Sequence, residues 1–375
     1  MLSPSIAIRG AGAAGLSLAH ALVHCLPGAA VTMFDQRPRL PHPQRTFCFF
    51  GDAEAIYPVP PSFRWNRVGF AGQGFARSID CRHAPYSLTR GDDFFAAMLD
   101  ELESRGTRFH WDCGELEISA HAVRTPTAAW NFDYVVDAAF RPQDRQAVLW
   151  QSFAGIWVRS SEPIFDPAEA LLMELQESAD ESPVRFAYLL PTSPYTALVE
   201  HTAFSKHALP REWHLAECRR WLAARGVHRF AEEETEYGAI PLGLKSIPVN
   251  TGPLRIGSNA GVIRASTGYA FQSIQRQAVD LAQRIAEAAQ AGTETVAERE
   301  PPFPAWLRLS DTLFLQALAR APLRGASLMQ GLLSASPEKE LVRFLSGTVS
   351  LWEALRVMVN VPKLAMIRAL VLGGR

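Results

Sequence analysis

The sequence predicts an α/β fold, with a parallel sheet near the N-terminus, an antiparallel sheet in the middle of the chain and a helical C-terminal region. Three observations predict it. Residues 6–35 read as strand, glycine loop, helix and strand. Residues 153–205 carry strand-like runs (FAGIWV, VRFAYLL, TALVEHTAF) between Pro/Ser/Asp-rich turns. From Trp306 onward the chain reads as helices.

In chain order, Ile6, Ala7 and Ile8 form a short buried strand, followed by a loop over residues 10–15. Leu16, Leu18, Ala19, Leu22 and Val23 recur at helical spacing, and Pro27-Gly28 stops that helix. A second strand over 30–34 ends at Asp35, and a proline-rich break follows at 38–43. Strand-like pieces at 64–70 and 86–88 precede a helix over 92–104, which Gly106 stops. Short alternating strands run over 107–130, and the buried strand 134–137 ends in Asp137. An amphipathic helix covers 212–224. Residues 254–256 are a strand, 257–268 a glycine-containing loop and 269–289 a helix. Pro301, Pro302 and Pro304 mark a linker.

Composition bounds the function. A length of 375 residues suits about two domains. Hydrophobic residues make up 48% and charged residues 20%, enough for a sizeable core. Lys+Arg total 37 against Asp+Glu 38, so there is no basic excess to neutralise phosphates, and no nucleic-acid partner is expected. The five cysteines include no CxxC pair, which argues against a disulfide framework or structural zinc, and no metal site is expected. The N-terminus lacks the charged-then-apolar order of a secretory signal. No stretch approaches the ~18 uninterrupted apolar residues of a membrane span. A cytoplasmic protein is expected, soluble or at the inner face of the membrane.

Gly10-Ala-Gly12-Ala-Ala-Gly15 is a GxGxxG, and its context is specific. A strand precedes it, a helix follows it, and Asp35 stands at the end of the second strand. The first glycine permits the tight turn, the second admits a pyrophosphate to the backbone, and the third lets helix and strand pack closely. The helix N-terminus offers unpaired N–H groups to the phosphates, and Asp35 can accept the ribose hydroxyls. This is a Rossmann-type dinucleotide-binding pattern. The second glycine loop favours FAD over NAD, because a helix starting near Gly268 would place its positive end by an isoalloxazine ring. The chain then divides into a FAD-binding domain (1–150 and 245–295, with inserted strands near 60–90), an antiparallel-sheet substrate domain (151–244) and a helical C-terminal region (296–375).

Three further segments carry a family resemblance. Pro191-Thr-Ser-Pro194 leads into Leu198-Val-Glu200-His201-Thr202; Glu236-Tyr-Gly238-Ala-Ile-Pro241 follows; Gly257-Ser-Asn-Ala260-Gly261 precedes Ser266-Thr267-Gly268-Tyr269. In this order they resemble the blocks of the bacterial lycopene cyclase family: LPLSP with IE(D/E)T, E-x-G-x-(I/L)-P, and G-x-x-A-G with TGY. The tail, with Leu341-Val-Arg343-Phe344, Leu351-Trp352 and Leu355-Arg356, is similar to the family's helical C-terminus. Two positions depart from the pattern. His201 stands where the family has a second acid, and Asp137 is followed by Ala-Ala-Phe rather than a glycine-arginine turn.

The resemblance implies a lycopene β-cyclase-like flavoenzyme, an intramolecular lyase or isomerase acting on lycopene or a related hydrophobic polyene. It implies reduced FAD as the active cofactor, NAD(P)H as reductant, and no net redox change. The implied cofactor-binding set is Gly10, Gly12, Ala13, Ala14, Gly15, Asp35, Gln36, Arg45, Asp137, Gly257, Ala260, Gly261, Thr267, Gly268 and Tyr269. Glu200 is the candidate acid/base, since it lies in an apolar strand where burial raises a carboxyl pKa. His201 is a candidate proton relay or a structural histidine on the opposite strand face. Glu174, beside Met173, and Glu236 are candidate substrate-binding residues. The segment from Leu351, with Arg356, Lys363 and Arg368, is compatible either with an interfacial helix giving peripheral membrane contact or with a helix packed on the body. The same fold hosts flavin monooxygenases and other natural-product cyclases or reductases, and a non-catalytic carrier is the reading from outside enzymology.

Overall fold

The strand–loop–helix–strand opening forms as its spacing predicts. In the computed structural model the described residues are 3–41, 44–51, 59–140, 146–179, 182–244, 252–296 and 303–372. Pro301 and Pro302 of the expected linker lie outside them, and Pro304 caps the Ala305–Arg320 helix. A parallel sheet has the order Leu254–Arg255, Tyr134–Asp137, Ser5–Arg9, Ala30–Phe34, Arg108–His110. Its inner strands are nearly all apolar because both faces are covered. Ile6, Ile8 and Val136 face the Ala13–Cys25, Gly91–Ser104 and Phe271–Gln290 helices. Ala7, Phe34 and Val135 face the short meander of Glu117–Ile118, Ala122–Arg124 and Ala129–Asn131.

Seven described strands form the second sheet, in the order Phe230–Leu242, Leu149–Ser160, Thr196–Ser205, Val184–Pro191, Ala170–Leu175, Arg67–Gly72, Phe75–Asp80. The last two fall in the stretch expected as inserts within the nucleotide domain. They instead extend the antiparallel sheet, through parallel pairing of Ala170–Leu175 with Arg67–Gly72. Alternation identified a strand there but could not name its partner, because a parallel neighbour is supplied by a distant segment. One face of this sheet packs on the Arg211–Ala223 helix through Leu215, Cys218, Trp221 and Leu222. The other face joins the main core, to which the C-terminal helices contribute Leu307, Leu315, Leu328, Leu341 and Phe344.

A buried ion pair ties the second glycine loop to those helices. Arg264 is 1% exposed. Its guanidinium donates to both Asp311 oxygens, at 2.9 and 3.1 Å, and to the Phe344 carbonyl. Ser266 donates to Asp311 at 2.8 Å. Removing one partner of such a pair strands the other charge in the core, which costs about 3–5 kcal/mol. Asp311→Ala is therefore expected to lose about that much unfolding free energy in urea titration. Arg264→Met with Asp311→Leu should lose less than Asp311→Ala alone; a double variant as unstable as the single would contradict this account.

Candidate functional site

The first glycine loop has the geometry of a phosphate cradle. Gly10 has φ +101°, and a Cβ there would press on the backbone of Ala138 and Ala139. A Cβ on Gly15 would overlap the Gly10 carbonyl, so helix and strand touch at that point. A Cβ on Gly12 would meet nothing within 4 Å, and no side chain caps the helix it opens. The N–H groups of that first turn, which includes Ala13 and Ala14, are thus left for an anionic acceptor such as a pyrophosphate. Asp35, 5% exposed at the end of its strand, accepts from Ala11 N at 2.6 Å and from Arg37. Gln36 is exposed and donates to the Gly114 carbonyl at 2.6 Å; Arg45 is exposed on the segment before the Thr46–Phe50 strand.

Asp137 anchors the second glycine segment beside the first. Its carboxylate accepts from Arg9 at 2.5 and 2.8 Å, from Asn259 at 2.8 Å and from Ala139 N at 3.1 Å. Gly257, at φ +70°, lets the turn approach Ala14, where a Cβ would come within 2.6 Å. Ala260 and Gly261 complete this turn. Thr267, Gly268 and Tyr269 then reach the antiparallel sheet. A Cβ on Gly268 would sit 2.1 Å from Gln151 Oε1, a buried atom with no hydrogen-bond partner among the described residues. Gln272 Oε1 and Gln275 Nε2, at the start of the following helix, are also buried without partners. An open cradle and orphaned polar atoms beside it fit a bound dinucleotide.

The sheet register builds the second half of the site. Tyr188, Glu200, Gly155 and Glu236 stand directly opposite one another on four adjacent strands, so their side chains share one face. Gly155 lets the Leu198 and Glu236 side chains close over its strand: a Cβ there would lie 3.2 Å from Glu236 Oε1 and 2.8 Å from Leu198 Cδ1. Gly238 has a related function, since a Cβ on it would overlap the Phe153 ring. Burial, and then the Glu236 charge, raise the Glu200 carboxyl to about 8, against a Thr202 hydroxyl that donates to it at 3.0 Å. Burial raises Glu236 to about 7, opposed by hydrogen bonds from Thr46 and by the charges of Arg90 and Arg45. Tyr188 and Cys48, from strands packed against the pair, are raised by burial and by the Glu200 charge.

His201 and Glu174 lie elsewhere. Both face the helix side of the sheet. His201, 1% exposed, contacts His214 Nδ1-to-Nδ1 at 2.9 Å and Gln176 Oε1 at 3.3 Å. His214 Nε2 reaches Ser152 Oγ at 3.0 Å, and Leu209 N–H donates to the same hydroxyl. With His201 Nε2–H donating to Gln176, a chain of two neutral imidazoles satisfies every contact. Burial lowers the two histidines to about 3 and about 4. Glu174 accepts from Trp221 Nε1 at 2.6 Å and from Arg225. Among the described residues, one group has metal-ligand chemistry: His20, His24 and Glu101, on the nucleotide domain, where Arg105 donates to Glu101 at 3.1 Å.

Gly155, Gln151, Thr46 and Tyr188 were not singled out from sequence. An isolated glycine inside the strand FAGIWV was the available signal for Gly155. Tyr188 becomes a neighbour of Glu200 through strand pairing, while Thr46 and Gln151 are brought in by packing between separate sheets and with the second glycine loop.

The raised carboxyl has a stability consequence. Glu200 is held above its unfolded value of 4.5, so its contribution is full below about pH 4.5 and is lost as pH rises toward about 8. Glu200→Gln removes that loss. The variant should exceed the wild type in unfolding free energy at about pH 9 by on the order of a few kcal/mol, at about 1.4 kcal/mol per pKa unit, with the difference vanishing near pH 4. Urea titrations across that range test this; parallel pH profiles for the two proteins would show that Glu200 is not held protonated.

The comparisons with known proteins agree with this architecture. A curated lycopene beta-cyclase from Paracoccus sp. (strain N81106 / MBIC 01143) is 24% identical over 284 residues, 72% of each chain. A geranylgeranyl bacteriochlorophyll reductase-like protein from Thermoplasma acidophilum shares the fold, with TM-score 0.65 at 13% identity over 98% of each chain. So does a variant of the halogenase PltM solved with FAD, with TM-score 0.52 at 12% identity over 92% of this chain and 78% of that one. The family model described as "Lycopene cyclase protein" matches residues 5–371, and the chain belongs to that family.

Proposed function

We propose that this protein closes the linear ends of lycopene, or of a related polyene, into β-ionone rings by acid–base carbocation chemistry with Glu200 as the proton donor. The observation that carries the reading is the place of Glu200 in the apolar sheet face, directly across the strands from Tyr188 and Gly155, where burial holds its carboxyl up at about 8. A carboxyl that keeps its proton near neutral pH is matched to protonating an alkene. The proton adds to the terminal C=C and leaves a tertiary cation. The neighbouring double bond attacks that cation, forming the ring C–C bond. Loss of a proton from the ring then sets the alkene, so substrate and product are isomers. Leu198, Phe186 and Phe204, on the Glu200 face, exclude water from the cation.

The cradle at Gly12, the unpartnered amide oxygens of Gln151 and Gln272, and Asp35 support FAD as the cofactor; in this reading NAD(P)H is its reductant. When bound, reduced FAD supplies negative potential opposite the cation. His201, facing the helix layer, positions the Glu200 strand by its contacts with His214 and Gln176. A second reading, a flavin monooxygenase, rests on the shared fold alone.

The test is anaerobic incubation of the dithionite-reduced holoenzyme with lycopene in liposomes. The expected product is a ring-closed isomer of unchanged mass, and Glu200→Gln should lower its rate by about 100-fold or more. A product one oxygen heavier, formed only in air, would replace the cyclase with a monooxygenase.

The substrate's solubility also asks for membrane contact. No helix among the described residues is long and apolar enough to cross a membrane. The Leu351–Met358 and Lys363–Leu372 helices expose Trp352 (75%), Leu364 (72%) and Val371 (73%). With Arg356 and Lys363 nearby, this patch fits the interface of an anionic bilayer. Trp352→Ser with Leu364→Ser should lower flotation with anionic liposomes by roughly tenfold, as about 1.4 kcal/mol of lost burial corresponds to tenfold. Unchanged flotation would remove the patch from consideration.

A further inference from the structure

The Ala13–Cys25 and Gly91–Ser104 helices bring three metal-ligand side chains to one point. His20 and His24 stand one helical turn apart on the same face of the first helix, with ring centroids 4.3 Å apart. Glu101 reaches them from the second helix. Its Oε2 lies 3.3 Å from His20 Nε2, and its Oε1 lies 3.3 Å from His24 Nε2. All three ligand atoms fall within 4.8 Å of one another. Two tetrahedral ligands of a zinc ion stand about 3.3 Å apart, given bond lengths of about 2.0–2.1 Å. The helices share a core that includes Leu18, Leu22, Met98 and Leu102, so the fold itself sets the trio. The cysteines carry no metal signal in the sequence. The histidine pair does, but packing alone supplies Glu101.

We propose that His20, His24 and Glu101 bind a divalent transition-metal ion of the zinc class, which clips the two helices together. Two imidazoles and one carboxylate suit Zn2+ or Co2+ rather than Mg2+ or Ca2+, which take oxygen ligands. The ring tautomer favours a cation. His24 Nδ1 lies 2.8 Å from the His20 carbonyl, which can only accept, so Nδ1 carries the proton. In the neutral ring, Nε2 then presents a lone pair to the Glu101 carboxylate. Two acceptors 3.3 Å apart call for a positive charge between them. An Nδ1–H held by a backbone carbonyl is also the usual support of an imidazole that ligates through Nε2.

The neighbouring groups leave room for the ion. The side chains of His20, Glu101 and His24 are 14%, 23% and 42% exposed, so the trio is half-sheltered and solvent water can complete the shell. Arg105 donates to Glu101 Oε1 at 3.1 Å. A carboxylate has about four lone-pair sites, enough for Arg105 and a metal together. Cys25 follows His24, but its thiol lies on the Leu22 carbonyl and is not among the converging atoms. The site is separate from the cofactor cradle: His20 stands about two turns beyond Gly12, or ~12 Å along the helix. It does not depend on which reaction the Glu200 face performs.

The experiment titrates Zn2+ into the chelator-stripped, full-length holoenzyme against a chromophoric zinc indicator. Wild type should take up one tight equivalent. His24→Gln and Glu101→Gln should weaken that equivalent by about 100-fold or more, since even the indirect supports of a ligand are worth about 10–100-fold. Cys25→Ser should bind within about twofold of wild type. His24 is exposed near the end of its helix, so His24→Gln tests the ligand without opening the core. Co2+ should give visible absorption bands in wild type and Cys25→Ser that are absent in His24→Gln. Zinc at about 100-fold over its dissociation constant should raise the thermal midpoint of wild type by about 3 °C or more and leave that of His24→Gln unmoved. The absence of a tight equivalent in wild type would make the trio a histidine–glutamate ion pair only and would overturn the proposal. So would equal affinity in wild type and His24→Gln, or a loss in Cys25→Ser instead, which would assign the metal to the thiol.

Discussion

The site depends on the register of one strand. Thr196–Ser205 pairs residue for residue with Leu149–Ser160 on one side and Val184–Pro191 on the other. Side chains alternate between faces, so a slip of one position would turn Glu200 toward the helix layer and bring His201 into the apolar row. Register is strongly fixed here because each face has its own core. Leu198 and Phe204 pack with the C-terminal helices, while Ala197 and Val199 pack with the Arg211–Ala223 helix. The same alternation that buries the strand aims the carboxyl.

The two faces resolve buried polarity in opposite ways. On the helix side, neutral histidines pass hydrogen bonds from Gln176 to Ser152, and every contact is satisfied without charge. A satisfied network of this kind fixes strand and helix together. On the other side, two carboxyls lie near one another in an apolar face. Burial is the first cause of both raised values, with the mutual charge adding to Glu200. That side carries an energetic cost as pH rises, and the helix side carries one as pH falls toward about 4. Such a conflict with local stability is expected where chemistry is done rather than where the fold is held.

The halves of the molecule meet through the second glycine loop. Arg264 in that loop is locked to Asp311 and to the Phe344 carbonyl of the C-terminal helices. A few residues on, Gly268 passes so close to Gln151 that no side chain fits between them. One segment thus touches the nucleotide-binding helix through Gly257, the antiparallel sheet through Gly268 and the helical tail through Arg264. The departure from a glycine-arginine turn after Asp137 is accommodated in the same region, where Asp137 holds Arg9 and Asn259.

The sequence by itself determined the nucleotide half. Glycine spacing, the apolar strands and the acid at position 35 are local signals, and each is read within one strand–loop–helix unit. It also placed Glu200 in an apolar strand and, through alternation, His201 on the opposite face. Only the tertiary structure decided which strands are neighbours. That choice brought residues 67–80 into the antiparallel sheet, set Gly155 between Glu200 and Glu236, and carried Glu174 to Trp221 and Arg225. The reason is physical: alternation fixes the face of a side chain within its own strand, whereas the partner across the ladder is fixed by packing among segments far apart in sequence.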